Sequence, residues 1–128
     1  MITVTHEKGF RIVADVRGHR VIADLKQPNG GTDTAPQASE YIEAALALCV
    51  STYFNMYCAK RDLDPHGHTV TLESKVAEAP KRYSAFAVTL QFPPGFPEDA
   101  KEGAKGFVKA CMVANTLKST PDVSYFFA

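Results

Sequence analysis

Cysteine is scarce in this chain of 128 residues, with three thiols at Cys49, Cys58 and Cys111. Three widely spaced thiols are too few for a disulfide scaffold or a zinc knuckle. An excess of either charge is missing as well: fourteen basic and fourteen acidic side chains cancel to a formal net charge of zero. That argues against a nucleic-acid protein, which normally carries a basic excess or stripe. The longest uninterrupted apolar run, residues 44–50, has seven members, far below the roughly 20 that cross a bilayer. The opening residues MITVTHEKGFR show neither a basic start nor an apolar stretch. No signal peptide is expected, and the default address is cytoplasmic, with neither nucleic acid nor membrane as partner.

What is there is ordinary globular material, 45% hydrophobic and 22% charged, at a size typical of one domain, so residues 1–128 are read as a single domain. Residues 2–5, 10–14 and 21–25 read as three strands of a β-meander, separated where Lys8-Gly9 and Arg17-Gly18-His19 allow short turns. Residues 28–33 form a loop, because two glycines and a proline continue neither regular structure cheaply. Pro36 opens a long helix over residues 36–61, with Glu40 and Glu43 near its positive end and Lys60-Arg61 at its negative end. Alternation of polar and apolar residues then predicts strands at 69–76 and 83–92, broken by Ala79-Pro80-Lys81. A second helix is expected at 97–118 and a last strand at 123–127. The order βββ-α-ββ-α-β has too few crossovers for a doubly wound sheet, so the class is α+β.

The first helix carries two turns, residues 44–50, without a polar side chain. A helix apolar all round is buried all round. At about 1.5 Å per residue the predicted helix is roughly 39 Å long, about the diameter of a compact domain of this size. One sheet and one further helix hardly wrap it, which predicts a homodimer with this helix in the interface. The alternative is a monomer with the helix centred under one curved sheet. A few cysteines in a cytosolic protein are most often small buried hydrophobes. Cys58 falls about 180° around the helix from Cys49 and nearly 14 Å along it. If any two thiols cooperate, they are Cys49 and Cys111. His66-Gly67-His68 lacks a matching ligand cluster and reads as an exposed loop. Gly30-Gly31 lacks the Lys-Ser/Thr of a phosphate loop. Neither a metal nor a cofactor is expected.

The run Gly30-Gly31-Thr32-Asp33-Thr34-Ala35-Pro36, followed by Glu40 to Cys49 with its Ala44-Ala45-Leu46-Ala47-Leu48-Cys49 core, resembles the OsmC/Ohr family of thiol peroxidases. Met56-Tyr57-Cys58-Ala59 with Leu63-Asp64 is similar to that family's helix end, and Ala110-Cys111-Met112-Val113 to Leu117 to its second signature. The resemblance implies an intertwined dimer with two central helices wrapped by sheets. It also implies reduction of organic hydroperoxides by a cysteine pair, recharged by a dithiol reductant such as a lipoyl protein, thioredoxin or a small thiol. Cys49 matches the peroxidatic cysteine and Cys111 the resolving one. The resemblance further implies a catalytic Arg from the N-terminal strands, matched by Arg11 with Arg20 in reserve. It implies a catalytic Glu at the helix start too, matched by Glu40. In some members the Glu sits one position earlier, where this chain has Ser39, and Glu43 lies one turn on. Met112 stands where the family usually has proline. A non-catalytic dimer of the same fold, holding a hydrophobic small molecule between its helices, is the alternative.

The chemistry explains why such a site needs a cation. Only some 3% of a thiol with pKa near 8.5 is ionised at neutral pH. Lowering that pKa by about three units raises the thiolate fraction roughly thirtyfold, but makes each thiolate some 15–30 times less nucleophilic. The two nearly cancel. A guanidinium therefore acts chiefly by holding the peroxide and stabilising charge on the leaving oxygen, and a carboxylate such as Glu40 serves to orient it. Burial alone raises a thiol pKa, and apolar neighbours such as Leu46, Tyr53, Met56 and Phe107 favour alkyl or fatty-acid hydroperoxides over hydrogen peroxide.

Overall fold

Three strands open the chain in the computed structural model, which describes residues 1–128. They are β1 (Thr3–Lys8), β2 (Arg11–Val16) and β3 (His19–Ala23), joined as an antiparallel meander in the order β1-β2-β3. The long helix α1 covers Glu40–Ala59. A second antiparallel pair, β4 (Thr69–Glu78) and β5 (Lys81–Gln91), is followed by two short helices, α2 (Lys101–Val108) and α3 (Met112–Lys118). By its contacts the chain divides into two compact units, Met1–Ile42 and Glu43–Ala128.

In the first unit the sheet feeds a loop tied by polar bonds. Asp24 is buried, and its carboxylate accepts five hydrogen bonds: from the amide of Leu25, and from the amides and hydroxyls of Thr32 and Thr34. Gly31 is where this loop passes closest to the strand end. A Cβ there would stand 1.9 Å from the Leu25 carbonyl oxygen, so no larger residue fits without moving backbone. Residues 37–39 wind as a turn into α1, and the Glu40 carboxylate reaches back to the Gln37 amide at 2.8 Å. This is the return half of a capping box. It explains why α1 begins at Glu40 and not at Pro36.

In the second unit α1 presents Leu46, Val50, Phe54, Tyr57 and Cys58 to the core, an i, i+4 stripe of the kind that buries one helix face. Phe96, Ala104, Val108 and Cys111 complete that core. Tyr57 donates to the Ala100 carbonyl at 2.9 Å, and Gly103 leaves room for its hydroxyl where a Cβ would come within 2.4 Å. Within the single chain, burial of α1 is one-sided: Ala44 is exposed and Leu48 is 67% exposed. By length and composition α1 would suffice to cross a membrane, yet its apolar stripe is packed inside protein. Along β4, Val70, Leu72 and Ser74 point inward. A bulge between Lys75 and Val76 then reverses the phase, leaving Val76 exposed and turning Ala77 in.

Two expectations are corrected. The second helix is not continuous over 97–118: a 3₁₀ turn at Glu98–Ala100 leads into α2, which stops at Val108. Cys111 has extended backbone (φ −64°, ψ 143°) and α3 restarts at Met112. Cys111 therefore lies between helices, not in mid-helix. The predicted last strand at 123–127 does not form either. That stretch finds no strand partner within the chain and is exposed, with Phe126 and Phe127 each at 93%.

Candidate functional site

The inward stripe of α1 and its outward face meet at Cys49, which is half-buried. Cys111 is fully buried at the break between α2 and α3, where its backbone turns the sulfur back to accept the Ala114 amide at 3.3 Å. The fold brings these two thiols near enough to interact with each other. Both are free. Burial pushes the Cys111 thiol above its ordinary pKa; the Ala114 amide opposes this, and the interaction with Cys49 adds to the rise.

Two rings from the same segments pack against the core. Tyr53 follows Cys49 by one turn and Phe107 precedes Cys111 by four residues, and their centroids are 5.7 Å apart. A helical aromatic leans toward the N-terminal turn, so the Tyr53 ring covers the side of α1 from which Cys49 projects. The Lys60 ammonium lies over the Phe107 ring, 5.1 Å from its centroid. Cys58 takes no part: it is fully buried in the core, and burial together with the Asp64 charge raises its pKa.

The predicted cation and carboxylate belong to the first unit. Arg11 pairs through Nε with Glu7 and donates from Nη1 to the Thr34 hydroxyl at 3.0 Å. Thr34 in turn donates to Asp24 at 2.9 Å. The guanidinium is thus held at two points, one of them backed by the buried carboxylate. Arg20 is more exposed and reaches the other Glu7 oxygen at 3.2 Å. The Arg11 guanidinium, above all, holds the Glu7 carboxyl below its usual range. Glu40 is engaged elsewhere. The Gln37 amide and the Lys26 ammonium, 3.1 Å away, lower its pKa.

Spacing did not single out Glu43 beyond its place one turn after Glu40. In the second unit it accepts hydrogen bonds from Ser74 (2.5 Å) and Tyr83 (3.0 Å), tying α1 to the β4–β5 hairpin. His68, expected in an exposed loop, is half-buried: it packs on Phe54 and bonds the Ser51 hydroxyl at 2.7 Å. The alternation of the sequence around it carries no sign of that. No group of three or more His, Cys, Asp and Glu side chains is arranged to hold a metal ion.

Residues 31–126 match the family of OsmC-like proteins. The chain belongs to that family. Its fold is shared by a protein of Psychrobacter arcticus 273-4 described as an osmotic stress induced and detoxification response protein, at TM-score 0.81 and 20% identity over 90% of this chain and 85% of that one. An OsmC-like protein of Mycoplasma pneumoniae superposes with TM-score 0.76 and 14% identity, covering 92% and 86%. An organic hydroperoxide resistance protein OsmC of Legionella pneumophila does so at 0.63 and 13%, covering 92% and 89%. No curated protein sequence matches the chain.

Proposed function

We propose that the protein is a cysteine-based peroxidase that reduces organic hydroperoxides to alcohols. The observation that carries this reading is the contact between the Cys49 and Cys111 thiols, formed from segments far apart in the chain. The Cys49 thiolate attacks one peroxide oxygen; the O–O bond breaks, and the alkoxide leaves and takes a proton as the alcohol. Cys49 is left as a sulfenic acid. The Cys111 thiol then condenses with it, forming a disulfide and releasing water. A dithiol reductant returns both sulfurs to thiols by exchange.

The raised pKa of Cys111 keeps it protonated while the peroxide is present, so it does not compete with Cys49 for the first step. Arg11 is assigned the peroxide-binding and charge-stabilising role, with its fork oriented by Glu7 and Thr34. Glu40, already bonded to Gln37 and Lys26, is assigned to the helix start next to that loop. The outward face of α1, with Leu48 and Ala44 exposed, supports assembly as a homodimer through this helix. We place the protein in the cytoplasm, where such a pair is kept reduced between turnovers.

The test is to treat the protein with cumene hydroperoxide and count free thiols by intact-mass alkylation. Loss of two thiols in the wild type, and of none in Cys49→Ser, is the expected result. Three thiols persisting in the wild type removes the reading.

A further inference from the structure

Two guanidinium groups share one carboxylate in the first unit. Glu7 accepts Arg11 Nε at Oε2 and Arg20 Nη2 at Oε1, the second at 3.2 Å. The three residues come from β1, β2 and β3, so the Glu7–Arg20 pair straps across the middle strand. Asp15 lies directly opposite Arg20 in the register, yet one of its oxygens accepts the Gly18 amide at 3.2 Å, and Arg20 passes it by for Glu7. Glu7 sits where the register of β1 against β2 shifts, between the pairs His6–Ile12 and Lys8–Arg11. A bulge of this kind re-aims a side chain. Glu40, the carboxylate expected to orient the arginine, is occupied by Gln37 and Lys26.

We infer that Arg20 is a positioning residue for Arg11, acting through Glu7, and that Nη2 of Arg11 is the donor offered to the peroxide. The inference rests on the peroxidase reading, and it moves this chain's orienting carboxylate from the helix start to a strand. A guanidinium carries its N–H donors in a rigid fork. In Arg11, Nε is committed to Glu7 and Nη1 to Thr34, and Nη2 has no partner in the chain. An exposed glutamate is flexible and by itself holds nothing still. Anchored at both oxygens, it fixes the guanidinium plane that it grips. An exposed ion pair adds little to stability, so Arg20 serves the direction of the fork more than the folding of the sheet.

A double-mutant cycle tests this, with the rate constant for Cys49 oxidation by cumene hydroperoxide read by rapid quench and intact-mass alkylation. In metal sites, loss of an outer group that orients a reacting one costs on the order of tenfold. Arg20→Gln is expected to slow the reaction by about that factor, less than Arg11→Lys does. Arg20→Lys is expected to keep most of the rate, because only one nitrogen of Arg20 is engaged. In a Glu7→Gln background, Arg20→Gln is expected to cost nothing further, since the two act along one path. Equal losses with and without Glu7 mean that the Arg20 charge acts from a distance, and they overturn the inference. A loss in Arg20→Gln larger than that of Arg11→Lys exchanges the two arginines and overturns it too. By carbon-13 NMR the Glu7 carboxyl is expected to titrate higher in Arg20→Gln, a readout independent of turnover; an unshifted titration removes the strap. A wild type that consumes no hydroperoxide removes the peroxidase reading and the strap's role with it. A wild type that turns over beside an equally fast Arg20→Gln removes this inference alone.

Discussion

The sulfur of Cys111 accepts the amide of Ala114 at 3.3 Å and so closes the first turn of α3 with the same atom that meets Cys49. Structure and chemistry therefore share one side chain, and substitutions at Cys111 separate them. Cys111→Ser keeps an oxygen acceptor at a position where serine is favoured, and its stability is expected to stay near that of the wild type. Cys111→Ala loses the cap and is expected to lose about 1 kcal/mol in urea denaturation. Both remove the thiol proposed to resolve the sulfenic acid, so on that proposal Cys49 sulfenic acid is expected to persist after one equivalent of cumene hydroperoxide. Dimedone labelling read by mass spectrometry checks this.

The two fully buried thiols set the alkaline limit of stability. Burial raises the pKa of Cys58 and of Cys111 in the folded chain, whereas an unfolded thiol ionises near about 8.5. A raised folded pKa favours the native state below that value and withdraws the benefit as pH climbs toward the folded pKa. Urea midpoints are expected to fall between pH 8 and 10. The fall in Cys111→Ser is expected to be smaller, and equal slopes for the two proteins would contradict the assignment.

Asp24 acts at the opposite end of the scale. Hydrogen bonds from Thr32 and Thr34, led by the Thr32 hydroxyl, hold its carboxyl far below the usual range. Its contribution is complete above the unfolded carboxylate pKa of about 3.9 and is lost as pH falls through that value toward the folded one. Asp24→Asn is therefore expected to be less stable than the wild type at pH 7, with the gap closing toward pH 2. Circular dichroism is the measurement of choice, because the chain has no tryptophan.

Arg11 is held as a fork by Glu7 and Thr34, so Arg11→Lys is not a conservative change. Loss of a donor to the developing oxyanion costs about 10²–10³ in rate, and a drop of that order in kcat/KM for cumene hydroperoxide is expected. Thr34→Val leaves the charge but frees one arm of the fork, and a smaller loss is expected. Unchanged kinetics in both variants would relieve Arg11 of its role.

Much of the fold was legible because its signals are periodic. Alternation at Val70, Leu72, Phe86 and Leu90 located β4 and β5, and the apolar stretch before Cys49 located α1. The break at Cys111 was hidden because Lys109 and Ala110 are good helix formers and no glycine or proline intervenes. The clue lay in the resemblance. Met112 occupies the first position of α3, where the family's usual proline fits without cost because the missing amide proton has no helical partner there. The missing last strand had the right residues but no neighbour to bond. Helical spacing set Cys58 aside and left Cys49 and Cys111 as the candidate pair, and the two signatures supplied the roles expected of them. The fixing of Arg11 by Thr34 and Asp24 depends on contacts across a loop, which spacing does not encode.

Among the 42 residues of the first unit, only Ala23 and Asp24 are buried. Its other apolar side chains, Ile12, Val13, Val21 and Ile22 among them, are only half-buried, and the carboxylate gripped by five donors is its one fully buried polar tie. Acid strikes at that grip directly, while the buried groups of the second unit with shifted pKa, Cys58 and Cys111, respond at the alkaline end. Protonating Asp24 therefore loosens the loop that holds Thr34, and with it one of the two points that fix the Arg11 guanidinium.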